Sequence, residues 1–306
     1  MRHNLLGKSN ISISELTLGC MSLGLDYQHA SKIIDTAIEN GINHLDTADL
    51  YDFGINEQIV GKSIKHRRDQ VVITSKVGNH FQEGSKDWFW DPSKEYIHHA
   101  VRNSLKRLQI DYLDVCMLHG GTLDDPIDET IEAFEELKED GLIRTYGISS
   151  IRPNVIREYA KRSTIDVLMT QYSLLDRRPE EEILPLALEN NISVVCRGPL
   201  AKGLISNQMK DVIEKKGEDG YLSYSFTELK KLNEKLHEIR GDYSIQELAM
   251  HYVGDHSAVT STVFGASSLN QLEENVREYN KTDRIDETIY HQLQEITKAE
   301  NYDKHR

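Results

Sequence analysis

The sequence repeats one unit eight times: a short apolar run, a polar end and then an amphipathic stretch with helical spacing. The eight runs cover residues 15–20, 42–46, 71–76, 112–119, 144–150, 166–171, 193–198 and 260–266. Runs rich in apolar and β-branched residues are typical of strands buried on both faces of a parallel sheet. Eight β-α units predict a closed (β/α)8 barrel of the TIM type, for which about 250 residues are typical.

A doubly wound open sheet is the alternative architecture for this alternation of strands and helices. That fold usually binds nucleotides at a GxGxxG turn after its first strand. The corresponding turn here is GCMSLG, residues 19–24, and it lacks the middle glycine. We therefore predict the α/β barrel, as a single domain over residues 1–306 with long loops on its C-terminal face.

Helical spacing separates the predicted strands. Residues 29–40 place Ile33 and Ile34 on one apolar stripe, and Gly41 follows as a helix C-cap. Residues 91–109 are predicted to form a helix with a proline in its first turn. Further helices are predicted over residues 127–141, 152–161, 179–190, 227–239, 244–254, 269–278 and about 284–300.

Two insertions and a C-terminal tail interrupt the regular spacing. Both insertions follow predicted strands at the face where this fold builds its active sites. The first covers residues 78–92 and contains Trp88 and Trp90, which suggest a pocket wall or an interface. The second runs from Leu204 to about Phe226, and its conformation does not follow from the sequence.

The composition sets limits on the partners of this chain. Its formal net charge is −14 at pH 7, which argues against a general affinity for nucleic acid or anionic membranes. No apolar run approaches the roughly 20 residues that span a bilayer, and the first residues lack the apolar core of a signal peptide. We therefore expect a cytoplasmic protein, with a monomer as the default state.

The three cysteines, Cys20, Cys116 and Cys196, are far apart and form no CxxC pair. This spacing argues against a disulfide framework and against a structural zinc site, and no other metal site is predicted. Each cysteine lies at or near the end of an apolar run, where a small buried side chain is the ordinary role. The alternative is redox control through thiols close to the strand ends.

Four polar side chains follow neighbouring predicted strands. Asp46 ends the second strand, Lys76 the third and His119 the fourth, while Tyr51 lies in the loop after Asp46. Neighbouring parallel strands are about 4.8 Å apart, so side chains at their carboxyl ends converge on one part of the barrel rim. Each residue alone would be an ordinary cap, turn former or buried polar group. Together the four predict a catalytic site.

The chemistry of these four side chains is complementary. Tyrosine has an ordinary pKa of about 10 and is a poor proton donor at neutral pH unless its phenolate is stabilised. A Lys76 ammonium would lower that pKa, and Asp46 would keep Lys76 charged and in place. His119 could donate a second hydrogen bond to a carbonyl oxygen. The group is suited to protonating a carbonyl, and it contains no evident nucleophile.

These residues lie in segments that resemble the aldo-keto reductase superfamily. LDTADLY, GINEQIVG, ITSKVG and the LH of CMLHGG follow one another in the order and at the spacing of that superfamily. The segments GISS, QYSLLDR and GASSLNQLEENV continue the pattern towards the C-terminus. Bacterial general oxidoreductases and the β subunits of potassium channels are the most similar members. The resemblance implies a (β/α)8 barrel that binds NADPH and reduces aldehydes or ketones to alcohols.

The resemblance also assigns roles to the four residues of the predicted site. It implies Tyr51 as the general acid and His119 as the donor that orients the carbonyl. Lys76 and Asp46 would be the pair that lowers the pKa of Tyr51. Hydride would come from the nicotinamide of the cofactor, which accounts for the missing nucleophile. The implied partner is a small-molecule carbonyl substrate.

The cofactor contacts implied by the resemblance begin at the nicotinamide, where Asp46 would also contribute. Ser149 and Gln171 would bind its carboxamide, and Ser150 stands where the family often has asparagine. Arg197 replaces an aromatic ring that many relatives stack on the nicotinamide, and a planar guanidinium can also stack. The first strand and the pyrophosphate segment would add Gly19, Cys20, Met21, Gly198, Pro199, Leu200, Lys202 and Gly203.

The last motif, GASSLNQLEEN, bears on the choice of cofactor. Many NADP-preferring relatives carry arginine or lysine at the position of Ser267, where the cation pairs with the 2′-phosphate. Serine offers only a hydrogen bond there, although the channel β subunits also have it. We expect NADP(H) to be preferred, with NAD(H) possible. The contacts implied for this motif are Gly265, Ser267, Gln271, Glu274 and Asn275.

Four apolar residues, Met21, Phe53, Trp88 and Trp90, are expected to form the substrate pocket. They favour bulky or aromatic aldehydes as a class. The alternative to an enzyme is a nucleotide-sensing regulatory or interaction subunit with little turnover. The chain shows no extra domain or basic arm that would serve such a subunit, and it retains all four residues of the predicted catalytic site. The carbonyl reductase is therefore the favoured hypothesis.

Overall fold

The computed structural model describes residues 1–82, 84 and 87–306. Within these residues the strands are β1 (His3–Leu5), β2 (Ser12–Ser14), β3 (Leu16–Gly19), β4 (His44–Asp46), β5 (Val72–Val77), β6 (Asn79–Phe81), β7 (Trp88–Trp90), β8 (Leu113–Leu118), β9 (Ile143–Ser149), β10 (Val167–Gln171), β11 (Ser193–Arg197) and β12 (Val259–Gly265). The order β3-β4-β5-β8-β9-β10-β11-β12 forms a closed barrel in which every neighbouring pair is parallel.

The barrel closes where its last strand pairs with its first. Val263 of β12 lies opposite Thr17 of β3. Each of the eight predicted apolar runs coincides with one barrel strand to within one residue at its overlapping ends or encloses it, and these strands are buried along most of their length. The (β/α)8 prediction is therefore confirmed, and the open sheet is excluded because an open sheet would leave its first and last strands unpaired.

Helices cover the outside of the barrel, and they account for the burial of the strands on both faces. The helices described are α1 (Tyr27–Glu39), α2 (Ile55–Ile64), α3 (Lys94–Leu108), α4 (Ile127–Glu139), α5 (Pro153–Arg162), α6 (Ile183–Glu189), α7 (Met209–Lys216), α8 (Phe226–Ile239), α9 (Ile245–Gly254), α10 (Leu269–Tyr279) and α11 (Glu287–Ile296). Across the described ranges, no helix combines the length and the apolar character that crossing a membrane requires.

Most helices follow the predicted ranges closely, although α6 begins later than predicted and α11 is shorter at both ends. Two further differences concern a helix start and an unpredicted helix. In α3 the predicted proline of the first turn is wrong, because Pro92 precedes the helix. Ser93 is the N-cap, and its hydroxyl accepts a hydrogen bond from the Tyr96 amide at 3.3 Å. The second difference is α7, a helix within the insertion at residues 204–226 that the sequence did not predict.

An N-terminal hairpin closes the end of the barrel opposite the strand termini that carry the predicted site. β1 and β2 pair in antiparallel fashion, and the buried Leu6 and Ile13 pack against residues inside the barrel. The Gly7 amide donates to Ser193 Oγ at 2.7 Å. Gly7 has φ +56°, and a Cβ there would lie 2.3 Å from the Asp166 carbonyl oxygen. Only glycine therefore fits this contact.

A second hairpin carries the two tryptophans. β6 and β7 pair in antiparallel fashion within the predicted insertion at residues 78–92. Residues 83, 85 and 86 of that insertion lie outside the described residues. The hairpin follows β5, so it projects from the end of the barrel at which the predicted catalytic side chains lie.

Candidate active site

Three of the four predicted catalytic residues lie at the C-terminal ends of adjacent barrel strands. Asp46 is the last residue of β4, Lys76 is next to last in β5, and His119 directly follows β8. The register places Asp46 opposite Thr74 and Lys76 opposite Met117. The barrel therefore brings these side chains to one part of its rim, as the sequence predicted.

The Lys76 ammonium group is the centre of this group. Its Nζ donates hydrogen bonds to Asp46 Oδ2 at 2.8 Å, to the Thr47 carbonyl oxygen at 2.8 Å and to Tyr51 Oη at 3.2 Å. Lys76 is fully buried and Asp46 is almost so. An ammonium has three N–H donors, so these three acceptors use all of them and fix its orientation.

A strained loop between β4 and α2 places Tyr51. Its amide donates to the Ala48 carbonyl oxygen at 3.2 Å. Asp52 and Phe53 follow with φ +49° and +52°, and Gly54 has φ +89°. Left-handed backbone is costly for the two residues that carry a Cβ, and such strain clusters at functional sites. The loop holds the Tyr51 hydroxyl next to Lys76 rather than in solvent.

Burial is the largest single influence on the pKa of each of the three bonded residues. It raises the pKa of Asp46, and the Lys76 ammonium opposes that rise. Burial lowers the pKa of Lys76, but Asp46 and Tyr51 act in the opposite sense and the net direction is upward. Burial also raises the pKa of Tyr51 against the influence of Lys76. The predicted influence of Lys76, which lowers the Tyr51 pKa, is therefore present, but desolvation outweighs it and Asp46 also acts in the raising direction, so the net shift is upward.

His119 completes the group from the neighbouring strand. Its ring meets the Tyr51 ring edge-on, with centroids 5.9 Å apart and planes at 81°. Burial, with Lys76 and Arg197, lowers the pKa of His119 to about 3, so the imidazole is neutral at pH 7. Its buried Nδ1 has no hydrogen-bond partner within the described ranges of the chain. A neutral imidazole retains one N–H donor, as the expected carbonyl-orienting role requires.

A polar layer lies one step deeper in the barrel than Asp46 and Lys76. His44 is fully buried, with Nδ1 2.7 Å from Thr17 Oγ1 and Nε2 2.7 Å from Thr74 Oγ1. Thr17 Oγ1 is also 2.6 Å from Ser261 Oγ, so the hydrogen-bonded chain crosses four neighbouring strands. Burial, with the charge of Lys76, lowers the pKa of His44 to about 3.

We expect the free energy of unfolding to fall as the pH decreases from about 6.5 towards 3. Unfolded histidine has a pKa of about 6.5, whereas His44 and His119 have pKa values of about 3 in the folded chain. The unfolded state therefore binds protons first, and the stability present above pH 6.5 is lost on acidification. His44→Gln keeps polar partners for both threonines but cannot titrate, so it should reduce the acid-induced loss.

Urea unfolding at neutral and acidic pH measures this effect. The matched control is His66→Gln, which changes an exposed histidine and should lose as much stability on acidification as wild type does. An acid-induced loss in His44→Gln equal to that in wild type would contradict the assignment of His44.

A cavity of about 770 Å³ opens beside Asp46 and Tyr51 at the C-terminal end of the barrel. Its size is within the range of small-molecule and cofactor sites. The predicted cofactor residues that line it are Gly19, Met21, Asp46, Gln171, Arg197, Gly198, Pro199, Leu200, Lys202, Gly203, Gly265, Gln271, Glu274 and Asn275. The barrel thus places residues from distant segments of the sequence around one space, while their contacts to a cofactor stay predictions.

Four other predicted cofactor residues are not on the wall of this cavity. Cys20 is fully buried, and Ser149 ends β9 away from the lining. The Ser150 hydroxyl accepts a hydrogen bond from the Arg152 amide at 3.2 Å. Ser267 donates from its amide and hydroxyl to Gln271 Oε1, at 2.8 and 3.1 Å. Its neighbour Ser268 lines the cavity instead.

The sequence did not single out the polar residues that the 204–226 insertion and α9 contribute to the cavity. Lys216, at the end of α7, adds a cation to the lining. No strand end precedes it, so the only sequence signal was its place in an insertion on the functional face. Other unpredicted polar residues on the lining are Ser206, Asn207, Gln208 and Gln246.

Arg197 and Gln171 form one hydrogen-bonded unit on the cavity wall. Arg197 Nη1 donates to Gln171 Oε1 at 2.9 Å, and Gln171 Nε2 donates to Asp176 Oδ2 at 2.8 Å. Arg178 also donates to both oxygens of Asp176. This network holds the Arg197 guanidinium, whose charge also lowers the pKa of His119, although less than burial and Lys76 do.

The four predicted substrate residues do not form one wall. Met21 lines the large cavity, whereas Phe53 lines a separate cavity of about 470 Å³. The Trp90 ring packs so closely on Gly78 that a Cβ there would lie 2.8 Å from it. Trp88 is 51% exposed. Of the four residues predicted to form one substrate pocket, only Met21 therefore lines the large cavity.

The three cysteines are free and fully buried. Burial raises the pKa of all three thiols, and Asp46 adds to this effect at Cys20. The reactive form of cysteine is the thiolate, which burial in such surroundings disfavours. Their ordinary role as small buried side chains is confirmed, and the geometry gives no support to redox control.

The barrel and its rim define a (β/α)8 protein with a buried lysine, hydrogen-bonded to an aspartate and a tyrosine, beside a ligand-sized cavity. A family model described as the aldo/keto reductase family matches residues 15–298. The chain belongs to the aldo/keto reductase family.

Individual relatives agree with this assignment. The chain is 52% identical over 307 residues to an uncharacterized oxidoreductase, YqkF, of Bacillus subtilis, with 100% of both chains covered. It is 32% identical over 301 residues to an NADH-specific methylglyoxal reductase of Escherichia coli, with 90% of this chain and 92% of that relative covered. The holo form of aldo-keto reductase AKR11C1 from Bacillus halodurans is 51% identical with a TM-score of 0.94, covering 100% of this chain and 99% of that structure.

Proposed function

We propose that this protein is a nicotinamide-dependent oxidoreductase that reduces aldehydes or ketones to alcohols, with Tyr51 as the general acid. The observation that carries the proposal is the hydrogen bonding of the Lys76 ammonium to Asp46, Thr47 and Tyr51. A cation held against a phenol stabilises the phenolate that remains after the proton has been donated. Membership of the aldo/keto reductase family supports the same reaction class.

The proton donor is ready before the reaction begins. Tyr51 is protonated at neutral pH, because the ordinary pKa of tyrosine is about 10 and burial raises that of Tyr51 further. When the proton moves to the carbonyl oxygen, negative charge develops 3.2 Å from Lys76 Nζ, on a cation already oriented by Asp46. Preorganised charge of this kind costs no reorganisation at the moment of reaction. Neutral His119 would orient the carbonyl by donating a second hydrogen bond.

The large cavity fits a nicotinamide dinucleotide, which supplies hydride when bound. Lys202 and Lys216 provide cations for phosphate groups on the cavity wall. Gly198 and Gly203 have φ +76° and +87°, and such backbone can turn its amides towards an anion. Asn275 Nδ2 is a buried donor without a hydrogen-bond partner in the described part of the chain. An orphaned donor on a cavity wall is accounted for if a ligand supplies the acceptor.

NADP(H) is the proposed preference, with NAD(H) as the other possible cofactor. Lys216 supports NADP(H) because it adds a cation that the sequence pattern at Ser267 lacks. The NADH-specific methylglyoxal reductase, at 32% identity, shows that a relative has the opposite preference. We propose a monomer that acts in the cytoplasm on small carbonyl compounds, with apolar or aromatic aldehydes favoured and no nucleic-acid or membrane partner.

Turnover tests this proposal directly. With reduced nicotinamide and a panel of aromatic aldehydes and small dicarbonyls, we expect aldehyde-dependent loss of nicotinamide absorbance. Wild type should show a lower Kd for NADPH than for NADH in a fluorescence titration. Tight dinucleotide binding without turnover of any member of the panel would instead favour a nucleotide-sensing subunit.

Variants of two adjacent lysines, Lys215 and Lys216, distinguish a direct contact with a cofactor phosphate from a general effect of charge on cofactor binding. Lys216→Met should weaken NADPH binding by roughly two- to fivefold, because one solvent-exposed ion pair contributes up to about 1 kcal/mol. Lys215→Met removes the same charge one residue earlier on α7, from a side chain that does not line the cavity. It should leave the Kd unchanged, and equal effects of the two variants would refute the contact.

A further inference from the structure

We propose that Asn56 is a positioning residue that aims the Lys76 ammonium at Tyr51, an inference that rests on the carbonyl reduction proposed above. Asn56 lies in the first turn of α2 and is fully buried. A buried carboxamide is stable only when its donors and acceptor are satisfied. The hydrogen-bond partners of the Asn56 side chain are Thr47 and Cys20.

Asn56 connects two loops at the rim of the barrel. Its Oδ1 accepts a hydrogen bond from Thr47 Oγ1 at 2.7 Å, and its Nδ2 donates to the Cys20 carbonyl oxygen at 2.8 Å. Cys20 follows β3, and Thr47 follows β4. The carboxamide therefore joins the ends of two adjacent barrel strands.

The Thr47 end of this connection reaches the proton donor. The Thr47 carbonyl oxygen accepts one of the three hydrogen bonds of Lys76, at 2.8 Å. Asp46 and Tyr51 accept the other two. Because a tetrahedral ammonium with all three donors engaged has one orientation, a shift of the Thr47 carbonyl changes the direction of the N–H group that points to Tyr51.

The Cys20 end reaches the large cavity. Gly19 and Met21, on either side of Cys20, line that cavity next to Asp46 and Tyr51. Asn56 therefore fixes the cavity wall and the Lys76 acceptor relative to each other. Catalytic groups need placement to a fraction of an ångström, so a residue that touches neither substrate nor cofactor can still determine the rate.

The first test compares Asn56→Ala with wild type in the full-length protein. We expect kcat for aldehyde reduction to fall roughly 10- to 100-fold, the scale of a displacement of about 1 Å in a catalytic geometry. The descending limb of the pH profile of kcat should move to higher pH, because a less well aimed ammonium stabilises the Tyr51 phenolate less. The Kd for NADPH should stay within about threefold of wild type.

Thr47 variants show whether Asn56 acts through this residue. Thr47→Val removes the hydroxyl and should reproduce the loss of kcat and the shifted pH limb, whereas Thr47→Ser keeps the hydroxyl and should resemble wild type. The double variant Asn56→Ala with Thr47→Val should lose no more activity than Asn56→Ala alone, because residues that act in one chain are not additive. Gln58→Ala changes an exposed residue of the same helix and serves as the control.

The outcomes separate this inference from the reaction on which it rests. A lower thermal midpoint for Asn56→Ala without movement of the pH limb, or additive losses in the double variant, would show that Asn56 is only structural. Either result overturns the inference and leaves the reaction in place, provided that Tyr51→Phe is inactive. If Tyr51→Phe turns over like wild type, the proposed reaction itself fails.

Discussion

Tyr51→Phe is expected to lower kcat for carbonyl reduction by roughly 10²- to 10⁴-fold, the contribution of a positioned general acid. The substitution removes only the hydroxyl that receives the hydrogen bond from Lys76 Nζ at 3.2 Å. The ring and its edge-on contact with His119 remain. The loss should therefore appear in kcat at saturating cofactor, with the Kd for NADPH unchanged, because the variant lacks the proton rather than the binding site.

Tyr112→Phe is the matched control for this prediction. Tyr112 directly precedes β8, so it lies at the opposite end of the barrel, where its ring contacts Arg68 and Arg144. Phenylalanine keeps both ring contacts, and kcat should equal that of wild type. Turnover by Tyr51→Phe at the wild-type rate across the aldehyde panel would leave Tyr51 without a role as the acid.

Lys76→Met should destabilise the folded protein by about 3–5 kcal/mol, as expected when one partner of a buried ion pair is removed. Methionine fills a similar volume but leaves the Asp46 carboxylate, which is 4% exposed, without its cation. Two acceptors, the Thr47 carbonyl and the Tyr51 hydroxyl, also lose their donor. Urea unfolding at pH 7 measures this change in the free energy of unfolding.

The pH dependence of the Lys76→Met variant identifies the cause of its instability. Burial raises the pKa of Asp46, and without Lys76 nothing of comparable strength opposes that rise. Asp46 should then take up a proton at a higher pH than an ordinary aspartate does, so the destabilisation relative to wild type should shrink as the pH falls below 7. Asp46→Asn added to Lys76→Met should restore part of the stability, and Lys65→Met, at an exposed position, should change it by less than about 0.5 kcal/mol. A loss that is independent of pH would point to packing instead of charge.

The part of the site that the sequence predicted correctly is the part fixed by strand periodicity. Asp46 and Lys76 each come at the polar end of an apolar run, and parallel strands in consecutive order bring such ends together. The closed barrel was predicted from the same repeat, because the number of apolar runs gives the number of strands directly. Tyr51 was within reach because its loop starts at one of these strand ends.

The features that the sequence did not predict depend on packing or on contacts between distant segments. The direction of the Tyr51 pKa depends on how deeply its loop is buried, and no local pattern encodes that depth. Lys216 lines the cavity because it ends α7, a helix that forms inside the 204–226 insertion. The sequence placed the cofactor contact at Ser267, but Ser267 donates to the Gln271 side chain and its neighbour Ser268 lines the cavity.

The pairing of β12 with β3 also determines when the barrel can close during synthesis on the ribosome. Thr17 of β3 meets its partner Val263 only after almost the whole chain has been synthesised. Until then, β3 and the most recently made strand both present unpaired backbone edges, which are the usual starting points of aggregation. Contacts of such long sequence separation also form slowly. The barrel therefore closes only when synthesis is almost complete, and until then the edge of β3 stays available for pairing with other chains.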